Sequence, residues 1–302
     1  MKKKILISTG GSGGHVIPAT IFHDHLSKEF QVIISTDNRG YKFLNKSDYN
    51  LEIIDTPKLN NILLLPINSF LILYLTIKSY FFLRKKKIDK LISTGGYMSL
   101  PVILAAKLLS LDIYLFEPNL VIGRANKFFL RTCKKIFCYS EELINFPTKF
   151  KDKITIIHPL VRKVFYNSNV TLKEKDEFRV LIVGGSQGAR IFDKDLKNVI
   201  LNISKRHRIK VIHQTTEENT ENLKNFYSSN NIENLIFSFH RDFAKIIKEV
   251  DLSITRAGAS TLAELSILNI PFLAIPLSLS KDNHQFENAN FYKDKNCCWI
   301  LD

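Results

Sequence analysis

Short apolar runs alternate with longer stretches of helical periodicity along this chain. The first run, Ile-Leu-Ile at 5–7, enters Gly-Gly-Ser-Gly-Gly-His at 10–15, and an amphipathic pattern follows over about 18–29. That order reads as strand, tight turn and helix start. The device recurs at 91–101 (Leu-Ile-Ser-Thr-Gly-Gly-Tyr-Met-Ser-Leu-Pro), at 180–190 (Val-Leu-Ile-Val-Gly-Gly-Ser-Gln-Gly-Ala-Arg) and at 255–266 (Thr-Arg-Ala-Gly-Ala-Ser-Thr-Leu-Ala-Glu-Leu-Ser). Further apolar runs at 31–35, 51–54, 113–117, 134–139 and 154–157, then at 210–213, 235–239, 252–254 and 271–276, complete the strands. Helical patterns fill 124–131, 192–204, 218–227 and 243–250. Strands alternating with helices predict parallel, doubly wound sheets.

Two copies of the glycine device half a chain apart predict two Rossmann-like α/β domains. The polar connector at 158–177, with Asn-Ser-Asn and a charge run, places the boundary, giving domains of 1–160 and 161–302. In a parallel sheet the loops at the carboxyl ends of the strands share one side. The glycine turns should therefore line a shared cleft, with Gly96, Tyr97 and Ser99 facing it beside the first turn.

The most apolar stretch, 62–83, approaches the length of a bilayer span. Pro66, Asn68, Ser69 and Lys78 lie within it, and a strand–glycine unit follows directly. It reads as a helix that packs on the first sheet and exposes surplus apolar surface. Arg84, Lys85, Lys86 and Lys87 follow at once, so an anionic membrane surface is the expected contact. A plain core helix is the other reading.

Composition narrows the class. A chain of 302 residues, 45% hydrophobic and 24% charged, is globular and long enough for two cores. Its net charge of +14 points to an anionic partner. No RNA-binding motif is present, so nucleic acid is not expected as a partner. Cys133, Cys138, Cys297 and Cys298 match no zinc spacing and suit a reducing compartment. After Lys2, Lys3 and Lys4 the apolar run is too short for a signal peptide.

Glycine-rich turns at helix starts favour phosphate or sugar oxygens. At the first of them His15 is the one side chain that titrates near neutral pH. No GxxxxGK[ST] loop occurs, and no regular GxGxxG with a following acid, which weakens ATPase and NAD readings. Asp193-Lys-Asp195 has the spelling of a metal site, but residues two apart on a helix do not share a face. A solvated helix face is expected there, and no metal. Thr261-Leu-Ala-Glu264 fits a capping box, which competes with Glu264 as an acceptor for ribose hydroxyls.

Taken together, the glycine turns, Arg-Ala-Gly-Ala-Ser-Thr-Leu-Ala-Glu at 256–264 and Asp-Asn-His-Gln-Phe-Glu-Asn at 282–288 closely resemble the MurG family. These are peptidoglycan N-acetylglucosaminyltransferases of the GT-B fold, and the resemblance runs from Lys4 to the end of the chain. It implies inverting transfer of GlcNAc from UDP-GlcNAc to the 4-hydroxyl of the muramyl sugar of undecaprenyl-linked lipid I, giving lipid II. It also implies no cofactor, no metal, a peripheral position on the cytoplasmic face of the inner membrane, and other cell-wall enzymes as partners. The first domain would take the acceptor and the second the nucleotide sugar.

Residue by residue, the resemblance implies that Ser186 and Gln187 lie near the diphosphate. Ala259, Ser260, Thr261, Leu262, Ala263 and Glu264 would form the donor loop, with Glu264 on ribose and the backbone near His240 on uracil. His284, Gln285 and Asn288 would meet the GlcNAc hydroxyls, while Arg162 and Asn119 line the donor site. Ser12, Gly13 and Gly14 would approach the reacting sugar from the first domain. His15 is the candidate general base, with Glu117 its competitor. Where relatives carry His-Glu-Gln-Asn this chain has Phe-Glu-Pro-Asn at 116–119, and where they carry Gly-Asn-Pro-Val-Arg it has His-Pro-Leu-Val-Arg at 158–162. Set against the family's pattern, which continues through further helices, the second domain would be a shortened one. The alternatives are a GT-B transferase on another glycolipid, an epimerase-like protein, or a UDP-sugar-binding scaffold at the membrane.

Overall fold

The computed structural model describes residues 2–57, 65–165, 176–184, 190–238, 240, 243–277 and 281–301. It divides into two compact units, Met1–Leu160 and Val161–Asp302. The first holds seven strands: β1 (Lys4–Ser8), β2 (Gln31–Thr36), β3 (Leu51–Ile53), β4 (Lys90–Ser93), β5 (Asp112–Glu117), β6 (Lys135–Cys138) and β7 (Ile154–Ile156). Its helices are α1 (Gly13–Leu26), α2 (Asn38–Tyr41), α3 (Leu65–Lys86), α4 (Leu100–Leu108) and α5 (Arg124–Phe129). The second unit runs β8 (Phe178–Val183), α6 (Arg190–Ser204), β9 (Ile209–Gln214), α7 (Thr220–Ser229), β10 (Glu233–Phe237) and α8 (Phe243–Ile247). It continues with β11 (Leu252–Thr255), α9 (Ala259–Ile267), β12 (Phe272–Ala274), α10 (His284–Lys293) and β13 (Cys298–Ile300), the last a strand that the apolar pattern did not predict.

Both sheets are parallel throughout. Their orders are β3-β2-β1-β4-β5-β6-β7 and β10-β9-β8-β11-β12-β13. Alternate residues of each first strand enter different cores, because successive side chains leave a strand on opposite faces. Leu6 joins the core under α3 and α4, while Ile5 and Ile7 join the one under α1. In β8, Leu181 and Val183 face one layer, and Val180 and Ile182 the other. Burial on both faces explains why these strands read as unbroken apolar runs. The order reverses between β1 and β4 and again between β8 and β11. Ligands of such sheets bind beyond the carboxyl ends of the strands at that reversal. The glycine turns after β1, β4 and β11 sit there, while residues 185–189 of the turn after β8 lie outside the described residues.

The first helix starts earlier than its sequence pattern suggests. It begins at Gly13, with Ser12 as N-cap, and carries Pro18 inside it. A proline there forfeits only the bond to the Gly14 carbonyl, and Gly14 is exposed, so water can take that carbonyl. The consequence is functional, because His15 becomes a first-turn residue.

Helix α3 is long and apolar enough to cross a membrane by length and composition, yet it packs on α4. Leu75 and Leu83 are buried in it, and its outward face is apolar as well. Asn68, Thr76 and Ser79 are buried, whereas Ile67, Phe70, Tyr74, Ile77 and Phe81 are exposed. Their spacing of three and four residues puts them on one face. Residues 62–64 of the predicted apolar stretch lie outside the described residues.

Candidate functional site

In the first unit, the turn after β1 is held by a carboxylate that the sequence analysis did not single out. Asp37 is fully buried, and its Oδ1 accepts from the N–H of Gly11 and of Gly40, both at 2.8 Å. Its Oδ2 accepts from Arg39 Nε at 2.9 Å and Nη2 at 2.6 Å. Burial pushes this carboxyl up, but the two backbone N–H groups and the guanidinium outweigh it and hold the group below its ordinary range. Gly11 has φ +79°, and a Cβ there would come within 2.5 Å of Met98 Cε, so the turn demands glycine. An Asp followed three residues later by Gly was the available signal, since Asp37 also caps α2.

His15 is oriented by the loop after β4. Its Nδ1 lies 2.8 Å from the Thr94 carbonyl oxygen. A carbonyl can only accept, so Nδ1 carries a proton, and in the neutral ring Nε2 presents its lone pair. The ring rests against the glycine pair of the next turn: a Cβ on Gly95 would fall 3.3 Å from His15 Cε1, and one on Gly96 3.5 Å from Cδ2. The Thr94 hydroxyl donates to or accepts from Thr9 at 2.8 Å, joining the two strand ends. Ser99 is buried and donates to the Gly96 carbonyl at 2.7 Å, so it shapes the turn. Tyr97 lies under the Arg39 guanidinium and accepts from its Nη2 through the phenol oxygen. Ser12 and Gly14 are accessible at the start of α1, while Gly13 is buried.

Glu117 is 2% exposed and already satisfied. Oε1 accepts from Asn119 N at 3.2 Å and Nδ2 at 2.9 Å, while Oε2 accepts from Gly123 N at 2.7 Å and Asn126 Nδ2 at 3.0 Å. Four donors on one buried carboxylate make it the organiser of its loop. Asn119 is part of that organisation.

In the second unit, Arg162 and Glu264 meet although 102 residues separate them: Nε donates to Oε1 and Nη2 to Oε2, each at 2.7 Å. This is the bidentate fork that arginine makes with carboxylates. Glu264 is 4% exposed, and burial pushes its carboxyl up while Arg162 opposes the shift. The guanidinium also stacks on Phe165 and Phe243. The capping-box reading is overturned, because α9 starts at Ala259 with Gly258 as N-cap, which puts Thr261 inside the helix. Ala259, Ser260 and Thr261 form its first turn, with backbone N–H groups that have no helical acceptor. Leu262 and Ala263 are buried core contacts.

Beside them, Arg256 donates from Nη1 to the carbonyls of Ile275 at 2.9 Å and Pro276 at 3.0 Å, and stacks on Phe192. Gln285 Oε1 accepts from Leu277 N at 3.0 Å, and His284 begins α10 next to it. Asn288 is 1% exposed and donates to the Ala257 carbonyl at 3.2 Å. Its side chain ties α10 to the loop after β11. The His240 carbonyl accepts from Phe243 N at 3.2 Å, opening α8. Ser186 and Gln187 lie outside the described residues.

Asp193 is buried, not solvated. Its Oδ2 accepts from the Thr215 hydroxyl at 2.6 Å and Asn219 Nδ2 at 2.8 Å, and its Oδ1 lies 3.2 Å from His213 Nε2. The correction has a tertiary cause: the end of β9 and the loop before α7 close over the first turn of α6. Asp195 stays on the exposed side of the helix, so the two carboxylates diverge. Among the described residues no cluster of three or more His, Cys, Asp or Glu could hold a metal ion.

Comparison with known proteins agrees with this geometry. The glycosyltransferase family 28 N-terminal domain matches residues 5–138, and the glycosyltransferase family 28 C-terminal domain matches residues 179–302. The UDP-N-acetylglucosamine--N-acetylmuramyl-(pentapeptide) pyrophosphoryl-undecaprenol N-acetylglucosamine transferase of Pelagibacter ubique (strain HTCC1062) is 53% identical over 302 residues, covering 100% of this chain and 85% of that protein. Its namesake from Rickettsia felis is 33% identical, over 99% of this chain and 86% of its own. The crystal structure of Acinetobacter baumannii MurG superposes with a TM-score of 0.76 at 24% identity, covering 100% of this chain and 86% of the other, a likeness of fold. With two parallel α/β units, the glycine turns at both reversals and full-length identity of 53%, the chain belongs to the MurG family of N-acetylglucosaminyltransferases.

Proposed function

We propose that the chain transfers GlcNAc from UDP-GlcNAc to the 4-hydroxyl of the muramyl sugar of lipid I, forming lipid II with inversion and without a bound metal. The observation that carries the mechanism is the His15 hydrogen bond to the Thr94 carbonyl, which leaves Nε2 as a lone pair at the mouth of the first glycine turn. An imidazole so fixed takes the proton of the attacking hydroxyl as the bond to the anomeric carbon forms and the bond to UDP breaks. Gly96, Tyr97 and Ser99 shape the acceptor side, with Ser12 and Gly14 at the reacting sugar.

The second unit takes the nucleotide sugar. First-turn amides of α9 at Ala259, Ser260 and Thr261 stabilise charge on the departing diphosphate, together with Ser186 and Gln187, in place of a metal. Glu264 accepts from the ribose hydroxyls with the lone pairs that Arg162 leaves unused, since a carboxylate offers about four acceptor sites. The backbone near His240 meets uracil, and Gln285 with His284 meets the GlcNAc hydroxyls. The test is transfer in excess EDTA with the product anomer read by NMR. Unchanged rate and inverted configuration are expected; loss of transfer restored by a divalent ion, or retention, would refute the mechanism.

We further place the enzyme on the cytoplasmic face of the inner membrane, in contact with anionic lipid through α3. The support is the outward apolar face of Ile67, Phe70, Tyr74, Ile77 and Phe81 beside Arg84, Lys85, Lys86 and Lys87. Phe128 adds an exposed aromatic next to Lys127 on α5. Each cation adds about 1 kcal/mol near an anionic surface. Replacing Phe70 and Phe81 by serine should release the protein from phosphatidylglycerol vesicles in sedimentation and leave it native by circular dichroism. Undiminished binding would remove α3 from the contact.

A further inference from the structure

Arg39 plays no part in the chemistry above, yet it is the most constrained cation at the first glycine turn. Its Nε and Nη2 are both committed to Asp37 Oδ2, and Nη2 also donates to the Tyr97 phenol oxygen. The guanidinium stacks on the Tyr97 ring at 5.2 Å. A Cβ on Gly11 would fall 3.8 Å from Arg39 Nη2, so the guanidinium borders the turn itself. Among the described residues nothing engages Nη1, and the side chain remains 38% exposed. Holding an arginine in one orientation costs side-chain entropy, and here a fully buried carboxylate maintains it with the free edge accessible.

The neighbours say what that edge faces. His15 rests on Gly95 and Gly96, and Arg39 rests on Tyr97, the next residue along the same loop. The lipid-linked acceptor carries its phosphate chain on C1 of the sugar, across the ring from the reacting 4-hydroxyl. A sugar that brings this hydroxyl to His15 Nε2 can extend its anomeric substituent toward Tyr97 and Arg39, the next positions along that loop. We infer that Arg39 is a specificity-determining residue whose Nη1 donates to the diphosphate of the acceptor, with Asp37 and Tyr97 as its positioning residues. The inference rests on the acceptor proposed above.

The experiment pairs the Arg39→Gln variant with two short-chain acceptors that differ only in carrying a diphosphate or a single phosphate. Loss of one charge-assisted hydrogen bond should lower kcat/KM for the diphosphate acceptor about 10- to 100-fold. The monophosphate acceptor should lose markedly less, and the KM for UDP-GlcNAc should not change. Equal loss with both acceptors would overturn the assignment and reduce Arg39 to a loop brace. Should Arg39→Gln fail to fold, Arg39→Lys keeps a point charge without the fork, and the same selective loss, smaller in size, is required of it. If the unaltered protein transfers to neither acceptor, the acceptor reading itself falls and this inference with it.

Discussion

Replacing His15 with alanine lowers kcat by about 100- to 10,000-fold, the usual contribution of a positioned general base. Affinity for UDP-GlcNAc should stay unchanged, because the proposed mechanism gives His15 a role on the acceptor hydroxyl and none on the nucleotide. Glutamine is the sharper variant: its amide can still donate to the Thr94 carbonyl, where Nδ1 now donates at 2.8 Å, but it has no basic nitrogen. His15→Gln should therefore keep the fold and the glycine loops and lose the rate all the same. Steady-state rates beside UDP-GlcNAc titrations check this. A variant that retains more than a tenth of the rate would remove His15 from the proton transfer.

The second large effect is on the Arg162–Glu264 pair. Removing Arg162 leaves a carboxylate with 5% side-chain exposure and neither of its fork donors. Breaking such a pair costs about 3–5 kcal/mol when fully buried. Arg162 is 28% exposed, so solvent screens part of this and the lower end applies. Arg162→Ala should lower the thermal midpoint of the second unit and abolish detectable UDP-GlcNAc binding. Glu264→Gln removes the charge but keeps the shape, so its stability loss is smaller while donor affinity still drops. The double variant Arg162→Ala with Glu264→Gln should be more stable than the sum of the two single losses, because neither partner is then left charged and alone. Strict additivity in thermal denaturation would mean that the pair is not coupled.

The parallel sheets were legible because a strand buried on both faces reads as a near-continuous apolar run, and the glycine turns because each follows such a run. What escaped was tertiary. The tautomer of His15 depends on a carbonyl 79 residues away. Thr261-x-x-Glu264 is spelled like a capping box, yet the helix begins at Ala259, and only the fold could bring Arg162 to that carboxylate. Asp193 lies on a helix whose pattern reads as solvated, and Thr215 and Asn219 cover it from another element. Glu117 stood out in the sequence as a carboxylate at the end of a strand, but the four donors that hold it come from the folded loop. Asp37 drew no attention in the sequence, yet it ties the first glycine turn to the start of α2.

The most direct measurement is transfer of labelled GlcNAc from UDP-GlcNAc to a short-chain lipid I analogue, run beside the same analogue lacking the muramyl 4-hydroxyl. The account predicts a labelled disaccharide from the first and none from the second. Label on the 4-deoxy analogue, or none on either while UDP-GlcNAc binds, would contradict it.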